Sequence, residues 1–467
     1  MNPFRLRIWF ARDSLSDRWL VLTVVLAGAA YLLAAFCLAV LTWDGAGYVF
    51  NSIQRSRPAI PNCRYSDYPF LAVVSLLSFV INDPLWLARI YGVALAVLPV
   101  GSLLLSFHFL NRSPQLKALR IWPVLGILLS VLPGQIFLVA EAVPLVQVAW
   151  AVWAVAAAEI SITGLTWLAV LNLFLFFLHP SAAVVFAVTG GLFLGKAWMT
   201  TRQRTANAWL GVAFLILVAI RSWYALATAN SYERGELTFS ENYLAFQDAL
   251  PSLRMLPLVY LLGLTVFGGA VGWLPKKYTI RLAALSLILL AIYGVVWAID
   301  PRIWASAFSD RRFVLLGTLP LVVLGALHWR CENASITDDA QQPDRSIDSA
   351  LALIALGSAA TFLIVFGIQS VTWRQELTRF QADLSRCNKP VATGDDLPWI
   401  SSSPLHHWAS TQLSCVVQGK KVKTVFALNP ADVHGQRILL FPGAWFKPKN
   451  RWFQFASPRL GKMTDDT

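Results

Sequence analysis

The stretch WLVLTVVLAGAAYLLAAFCLAVLT, Trp19–Thr42, decides the fold of this chain. It runs for about 24 residues without a charge. A helix needs roughly 20 apolar residues to cross ~30 Å of hydrocarbon. The run is too long for a signal-peptide core, and no small-residue cleavage site follows it, so it is expected to stay as an anchor. The next residues, Trp43–Asp44–Gly45–Ala46–Gly47–Tyr48, then place a carboxylate where the chain leaves the membrane, between aromatic anchors.

Working outward, the whole composition fits this reading. Of 467 residues, 57% are hydrophobic and only 13% charged, against about 25% charged in an ordinary soluble domain. The 20 Trp and 28 Phe suit aromatic belts at two interfaces. The net charge is +13, with Lys and Arg scattered in short loops between apolar runs. That pattern points to the anionic membrane surface and membrane lipids, with no nucleic-acid partner. Five cysteines are too few for a disulfide scaffold, and no CxxC or Cys/His metal spacing occurs.

Apolar runs recur at about 19–42, 85–110, 121–140, 143–158, 165–178, 181–195, 207–228, 256–274, 282–299, 313–329 and 350–372. The expectation is an all-α polytopic membrane protein of about 11 transmembrane helices. The stretch Tyr68–Ile81 is apolar but short, which suits an interfacial helix. With residues 1–18 in the cytoplasm, the inside loops hold fifteen Lys/Arg and the longer outside loops hold eight. The positive-inside rule favours that orientation. It divides the chain into a cytoplasmic segment 1–18, a membrane domain 19–372 with a first outside loop at 43–84, and an extracytoplasmic domain 373–467.

The tail after Trp373 changes character. Pro, Ser, Asp and Asn turns surround strand-like pieces at Val422–Ala427, Arg437–Phe441 and Arg451–Phe455, so a small, separate β-rich or α+β domain is expected. Cys387 and Cys415 both fall there, and a disulfide between them would close a loop worth roughly 3 kcal/mol. Cys63 offers a competing partner. Compact loops and chain style point to a bacterial inner membrane.

The first outside loop and its continuation carry a resemblance. Asp44 follows the first crossing, Tyr68–Pro69 opens an apolar helix, Asn82–Asp83–Pro84 makes a turn, and Ala88–Arg89 opens the second crossing. In this order the chain resembles the GT-C superfamily of polytopic glycosyltransferases, over about 55 residues. The resemblance implies transfer of a sugar from a polyprenyl-phosphate donor to a lipid or glycan acceptor at the outer membrane face. It implies no certain cofactor. A divalent metal is left open, although Asp44 is followed by glycine where relatives carry paired acids.

The residues themselves support named roles. A carboxylate at Asp44 can take the acceptor's proton as the anomeric carbon is attacked. The plainer alternative is that Asp44 caps the next helix. Arg311 and Arg312 open the tenth apolar run on the same side, where guanidinium groups would clamp a phosphate leaving group. Helix-end snorkelling competes with that reading. Arg221 lies inside an apolar run, and an intramembrane ion is costly enough to mark phosphate binding, although near the run's end it could simply reach the interface. Glu141 and His179 fall in outside turns and would line the site, and Tyr68 would help form the polyprenyl groove. For Glu141 and His179 the alternative is a solvated turn. Asp67 and Arg89 are further candidates, and Arg89 has Asp83 nearby as an ordinary ion-pair partner. His406–His407 lacks an acidic residue at metal spacing, so no metal ligands are assigned. No P-loop, GxGxxG fingerprint, HExxH or GxSxG motif occurs. The rival reading is a non-enzymatic transporter or assembly subunit for lipid or polysaccharide export.

Overall fold

The computed structural model describes residues 15–42, 44–55, 57–58, 65–112, 114–130, 132, 142–199, 203–228, 256–299, 314–334, 345–403, 405, 409–427 and 453–455. These are mostly helical. In chain order the helices are α1 (Leu15–Phe36), α2 (Asp44–Arg55), α3 (Tyr68–Leu77), α4 (Pro84–Leu110), α5 (Pro114–Lys117), α6 (Ile121–Val124), α7 (Ala142–Ala157) and α8 (Ile162–Phe176). They continue with α9 (Ala182–Met199), α10 (Arg204–Thr228), α11 (Leu256–Ala270), α12 (Lys276–Ile299), α13 (Val314–Ala334), α14 (Arg345–Arg386) and α15 (Ser410–Gln418).

Among the described residues, six helices are long and apolar enough to cross a membrane: Arg18–Phe36, Pro84–Leu110, Ala182–Met199, Arg204–Thr228, Lys276–Ile299 and Ser349–Arg386. Four shorter apolar helices accompany them, at Ala118–Leu129, Val143–Ala157, Ile162–Phe176 and Pro257–Ala270. Their outward faces are oily. On α10, Trp209, Ile216, Trp223 and Leu226 are all exposed, and on α12 so are Leu285, Ile288, Ile292 and Val296. A soluble protein rarely leaves apolar surface so continuous, whereas lipid covers it without cost. Four hydroxyls inside these helices turn back on their own backbone: Ser106 to Ser102, Thr189 to Val185, Ser358 to Ile354 and Ser370 to Phe366. That satisfies each polar group where water is absent.

The bundle is built on α1, α4, α7, α12 and α14. Helix α1 packs on both α4 and α14, α14 on α12, and α4 on α7. Tyr31 of α1 sits between Phe362 and Phe366 of α14, with ring centroids 5.4 and 5.3 Å away. Small residues set the closest approaches. A Cβ placed on Gly92 of α4 would lie 2.9 Å from the Ala35 Cβ and 3.0 Å from its Cα. In the α9–α10 pair, a Cβ on Gly190 would come within 3.2 Å of the Gly211 carbonyl oxygen. Without a hydrophobic drive between helices in lipid, such close backbone contact supplies dispersion energy. At the end of the bundle opposite Asp44, Lys196 of α9 caps α7. Its Nζ donates to the carbonyls of Ala156 at 2.9 Å, Ala158 at 2.6 Å and Ala157 at 3.4 Å. A cation there meets the negative end of the helix dipole.

At the other end the chain reverses sharply after α1. Leu38 is fully buried and left-handed, with φ 62° and ψ 27°. The Cβ of a leucine crowds the backbone in that conformation, and such strained residues persist only where neighbours fix them. The neighbour is Trp373 of α14, itself fully buried, whose Nε1 donates to the Leu38 carbonyl at 2.9 Å. A 3-10 turn over Ala39–Leu41 follows, and α2 begins at Asp44.

The tail departs from expectation in two ways. Helix α14 does not stop at the membrane boundary near residue 372 but continues to Arg386. Its added turns bury Leu377, Phe380 and Leu384, so one face stays apolar beyond the crossing. The strands are also shorter than the sequence implies: β1 (Val391–Ala392), β2 (Lys421–Val422), β3 (Val425–Phe426) and β4 (Gln454–Phe455). β1 pairs in parallel with β3, Val391 opposite Val425, and β2 in parallel with β4, Lys421 opposite Gln454. The strand-like piece Arg437–Phe441 lies outside the described residues. Helix α15 packs on α2, α14 and α4. Phe453 stacks on Phe50 of α2 at 4.8 Å, and its N–H donates to Gln54 Oε1 at 3.3 Å. These residues of the tail are thus built into the first loop.

Candidate functional site

Asp44 is the first residue of α2 and only 8% exposed. Helix α2, DGAGYVFNSIQR, is strongly two-sided, and its apolar face (Val49, Phe50, Ile53) is fully buried. A carboxylate in a first turn is favoured by the helix dipole whatever else it does. The alternative reading of Asp44 as a helix-start residue is therefore compatible with its position, and does not remove it from a reactive role. The floor beneath it is the 3-10 turn Ala39–Leu41, and its flank is α3, with Ser75 Oγ donating to the Ser52 carbonyl at 3.3 Å.

Helix α3 spans Tyr68–Leu77, a short helix within the apolar stretch Tyr68–Ile81. Tyr68 begins it, half-exposed. Just before it, Ser66 and Asp67 are buried, at 6% and 3% exposure. The Ser66 hydroxyl donates to the Phe174 carbonyl at the end of α8, and the Tyr65 ring meets Phe177 edge-on at 5.8 Å. His179 lies two residues further on, in the turn into α9, where its Nδ1 accepts the Ser181 N–H at 3.2 Å. Arg221 of α10 closes the same neighbourhood. It is 4% exposed, and its guanidinium lies over the rings of Phe176 at 5.6 Å and Tyr224 at 5.4 Å. A guanidinium on aromatic faces keeps its N–H edge for other acceptors.

Three of the sequence candidates, Tyr68, His179 and Arg221, thus stand around one corner of the bundle. Asp44 stands on the same end, joined to that corner through the packing of α2 on α3. Arg89 does not pair with Asp83. Its Nε donates to the Phe36 carbonyl at 3.4 Å and its guanidinium lies 4.7 Å from the Trp86 ring centre, while Asp83 caps α4 by accepting the Leu85 N–H at 2.8 Å. Asp83 precedes Pro at the first helical position, and that local chemistry claims its carboxylate. Glu141, Arg311, Arg312, Cys63 and His406–His407 lie outside the described residues. Cys387 and Cys415 are both free thiols. Cys415 is buried in α15, and burial pushes its thiol up to about 12, so it packs as an inert apolar group.

A cavity of about 70 Å³ adjoins the Asp44 end, lined by Tyr31, Ala35, Val40, Gly92 and Gln147 among others. Its polar wall is a single pair, Gln147 Nε2 donating to Tyr31 Oη at 3.0 Å. A second cavity of the same size lies toward the opposite end, between Trp122, Trp150, Trp153 and Lys196, away from the candidates. Among the described residues no three His, Cys, Asp or Glu side chains gather as a metal site. The buried Leu38–Trp373 link and the docking of Phe453 escaped the sequence, because both join residues hundreds of positions apart. Nothing local in either segment signals the other.

The class these observations define is a helical membrane protein with a polar corner at one end of its bundle. No family model matches the chain, and no curated protein or solved structure matches it either.

Proposed function

We propose that this chain is a GT-C-like integral membrane glycosyltransferase. It crosses the membrane about eleven times, with the N-terminus in the cytoplasm and the region after α14 on the extracytoplasmic side. It moves a sugar from a polyprenyl-phosphate donor to an extracytoplasmic lipid or glycan acceptor. Asp44 acts as the base that removes the acceptor's proton, and Arg311 and Arg312, with Arg221, hold the donor phosphate. Glu141 and His179 line the site, and Tyr68 borders the polyprenyl chain.

The observation that carries this reading is the burial of Asp44 at the start of a two-sided helix, on the bundle end that also holds Arg221 and His179. A shielded carboxylate and a shielded guanidinium on one bundle end supply the two charges such a transfer needs. The base accepts a proton while the cation stabilises the departing phosphate. The long apolar helices give the donor's chain a place to lie.

The test uses purified protein in nanodiscs with a panel of radiolabelled polyprenyl-phosphate sugars. Wild-type protein should transfer label to acceptor. Asp44→Asn should lose about 10²–10⁴-fold in rate while keeping its elution volume and thermal stability. Undiminished transfer by Asp44→Asn removes the base from the mechanism. No transfer by wild-type protein with any donor favours the export reading instead.

A further inference from the structure

The segment between α15 and β3 carries three lysines in four residues, Lys420, Lys421 and Lys423. Lys421 and Lys423 are exposed. The segment is tied down at two points. Lys420 Nζ donates to Asn82 Oδ1 at 3.2 Å, and Lys423 Nζ donates to the Ser385 carbonyl at 3.0 Å. Asn82 lies in the turn between α3 and α4, and there the chain bares several large apolar side chains. Leu76 is 67% exposed, Phe79 69%, Val80 77% and Trp86 50%. Side chains of that kind, bunched at the mouth of a membrane-crossing helix, belong in the outer part of the acyl layer. Lys420 touches the residue beside them, so the lysines stand at headgroup height.

The nearby carboxylates are already engaged. Asp83 caps α4. Asp383 pairs with Arg386 at 3.6 Å and accepts from Trp399 Nε1 at 3.0 Å. Asp396 pairs with Lys389 at 2.5 Å. Arg386 and Lys389 are matched by Asp383 and Asp396, and exposed Asp395 offsets one further charge, so the three lysines outnumber the carboxylate left over in this segment. The local field is therefore positive and faces the bilayer rim.

We propose that Lys420, Lys421 and Lys423, beside the exposed Phe79 and Val80, form a docking surface for anionic phospholipid headgroups of the leaflet at the Asp44 end. The apolar side chains fix the depth and the lysines read the charge. Each lysine near an anionic surface contributes a comparable electrostatic gain, which salt weakens. The surface is also linked to α2. Lys421 lies in β2, β2 pairs with β4, and Phe453 beside β4 stacks on Phe50. Headgroups that hold the lysine segment thereby hold the tail against the helix that begins with Asp44. This inference stands apart from the glycosyltransferase reading and needs only the membrane.

Hydrogen exchange of the full chain in nanodiscs tests it. Discs of phosphatidylcholine are compared with discs containing phosphatidylglycerol as well. Exchange over residues 418–427 should slow about fivefold or more with phosphatidylglycerol, and high salt should erase the difference. The variant Lys420→Gln/Lys421→Gln/Lys423→Gln should exchange alike in both discs, with the helices protected as in wild type. Equal exchange of wild-type protein in the two discs overturns the proposal. So does a lipid effect that survives in the triple variant. Inorganic phosphate added to phosphatidylcholine discs should change nothing. Protection by phosphate alone overturns the proposal in favour of a free-anion site.

Discussion

Replacing Trp373 by phenylalanine removes one hydrogen bond from the turn that aims α2. The indole N–H is the side-chain donor to the Leu38 carbonyl, at 2.9 Å, and the same carbonyl also accepts the Leu41 N–H at 3.0 Å. The carbonyl is therefore not orphaned by the change, and the loss is that of an ordinary buried bond, about 0.5–1.5 kcal/mol. Shrinking a fully buried indole to a phenyl leaves a void, adding about 1 kcal/mol. Trp373→Phe should cost about 2 kcal/mol in all. Leu38→Gly sets two effects against each other. It relieves a left-handed leucine, worth about 1 kcal/mol or somewhat more, but deletes a fully buried side chain, worth about 2–5 kcal/mol. Burial wins, so Leu38→Gly destabilises too. If the indole's task is to hold strained backbone, the double variant should cost less than the two single costs together. Equilibrium unfolding in mixed micelles of mild detergent and dodecyl sulfate measures all four species. Wild-type stability of Trp373→Phe, or strict additivity in the cycle, would refute the account.

Other outcomes follow from single contacts. Gly92→Ala should destabilise the α1–α4 contact by about 1–3 kcal/mol in the same unfolding assay, because the new methyl meets Ala35 backbone as well as its Cβ. Phe453→Ala removes the ring stacked on Phe50 and should speed limited proteolysis of the tail while the crossings stay intact, read by the fragment pattern. The Lys389–Asp396 pair predicts a pH dependence. The hydrogen bond from Lys389, then that from the Thr393 N–H, holds the Asp396 carboxyl below the usual range, so its stabilisation is present above about pH 4 and is lost as pH falls through the lowered value. Lys389 is raised by its bond to Asp396, so its share is complete below about pH 10 and fades only above its raised value. Hydrogen exchange over residues 389–397, corrected for intrinsic rates, should show an acid limb that Asp396→Asn abolishes.

Much of the membrane part was legible because its signal is local. Length and apolarity alone mark the runs 85–110, 207–228 and 282–299, and the structure has the helices Pro84–Leu110, Arg204–Thr228 and Lys276–Ile299 there. The short helix at Tyr68 was legible for the same reason, being apolar but too brief to cross. The tail was read in part: the pieces expected at Val422–Ala427 and Arg451–Phe455 do hold strands. Its strands are two residues each, too short for period-two alternation to show, and α15 (STQLSCVVQ) hides its helix among Ser, Thr and Val. The fate of α14 beyond Trp373 was missed because Arg374, Glu376 and Arg379 look like a solvated end, while Leu377, Phe380 and Leu384 keep one face buried. Of the candidate residues, Asp44 and Arg221 stand out in the sequence by their charge in apolar surroundings, and both are buried. The pairing of Arg89 with Asp83 was a guess from proximity in sequence, and it failed because the Asp83 carboxylate serves the helix start one residue away.

The stacking of Phe453 on Phe50 has a bearing on synthesis. One of the rings that covers helix α2 is translated some four hundred residues after it. Every intervening crossing must be inserted before that ring exists. The neighbourhood of Asp44 therefore cannot reach its final form until position 453 has been made, and a nascent chain halted before it carries α2 without this cover.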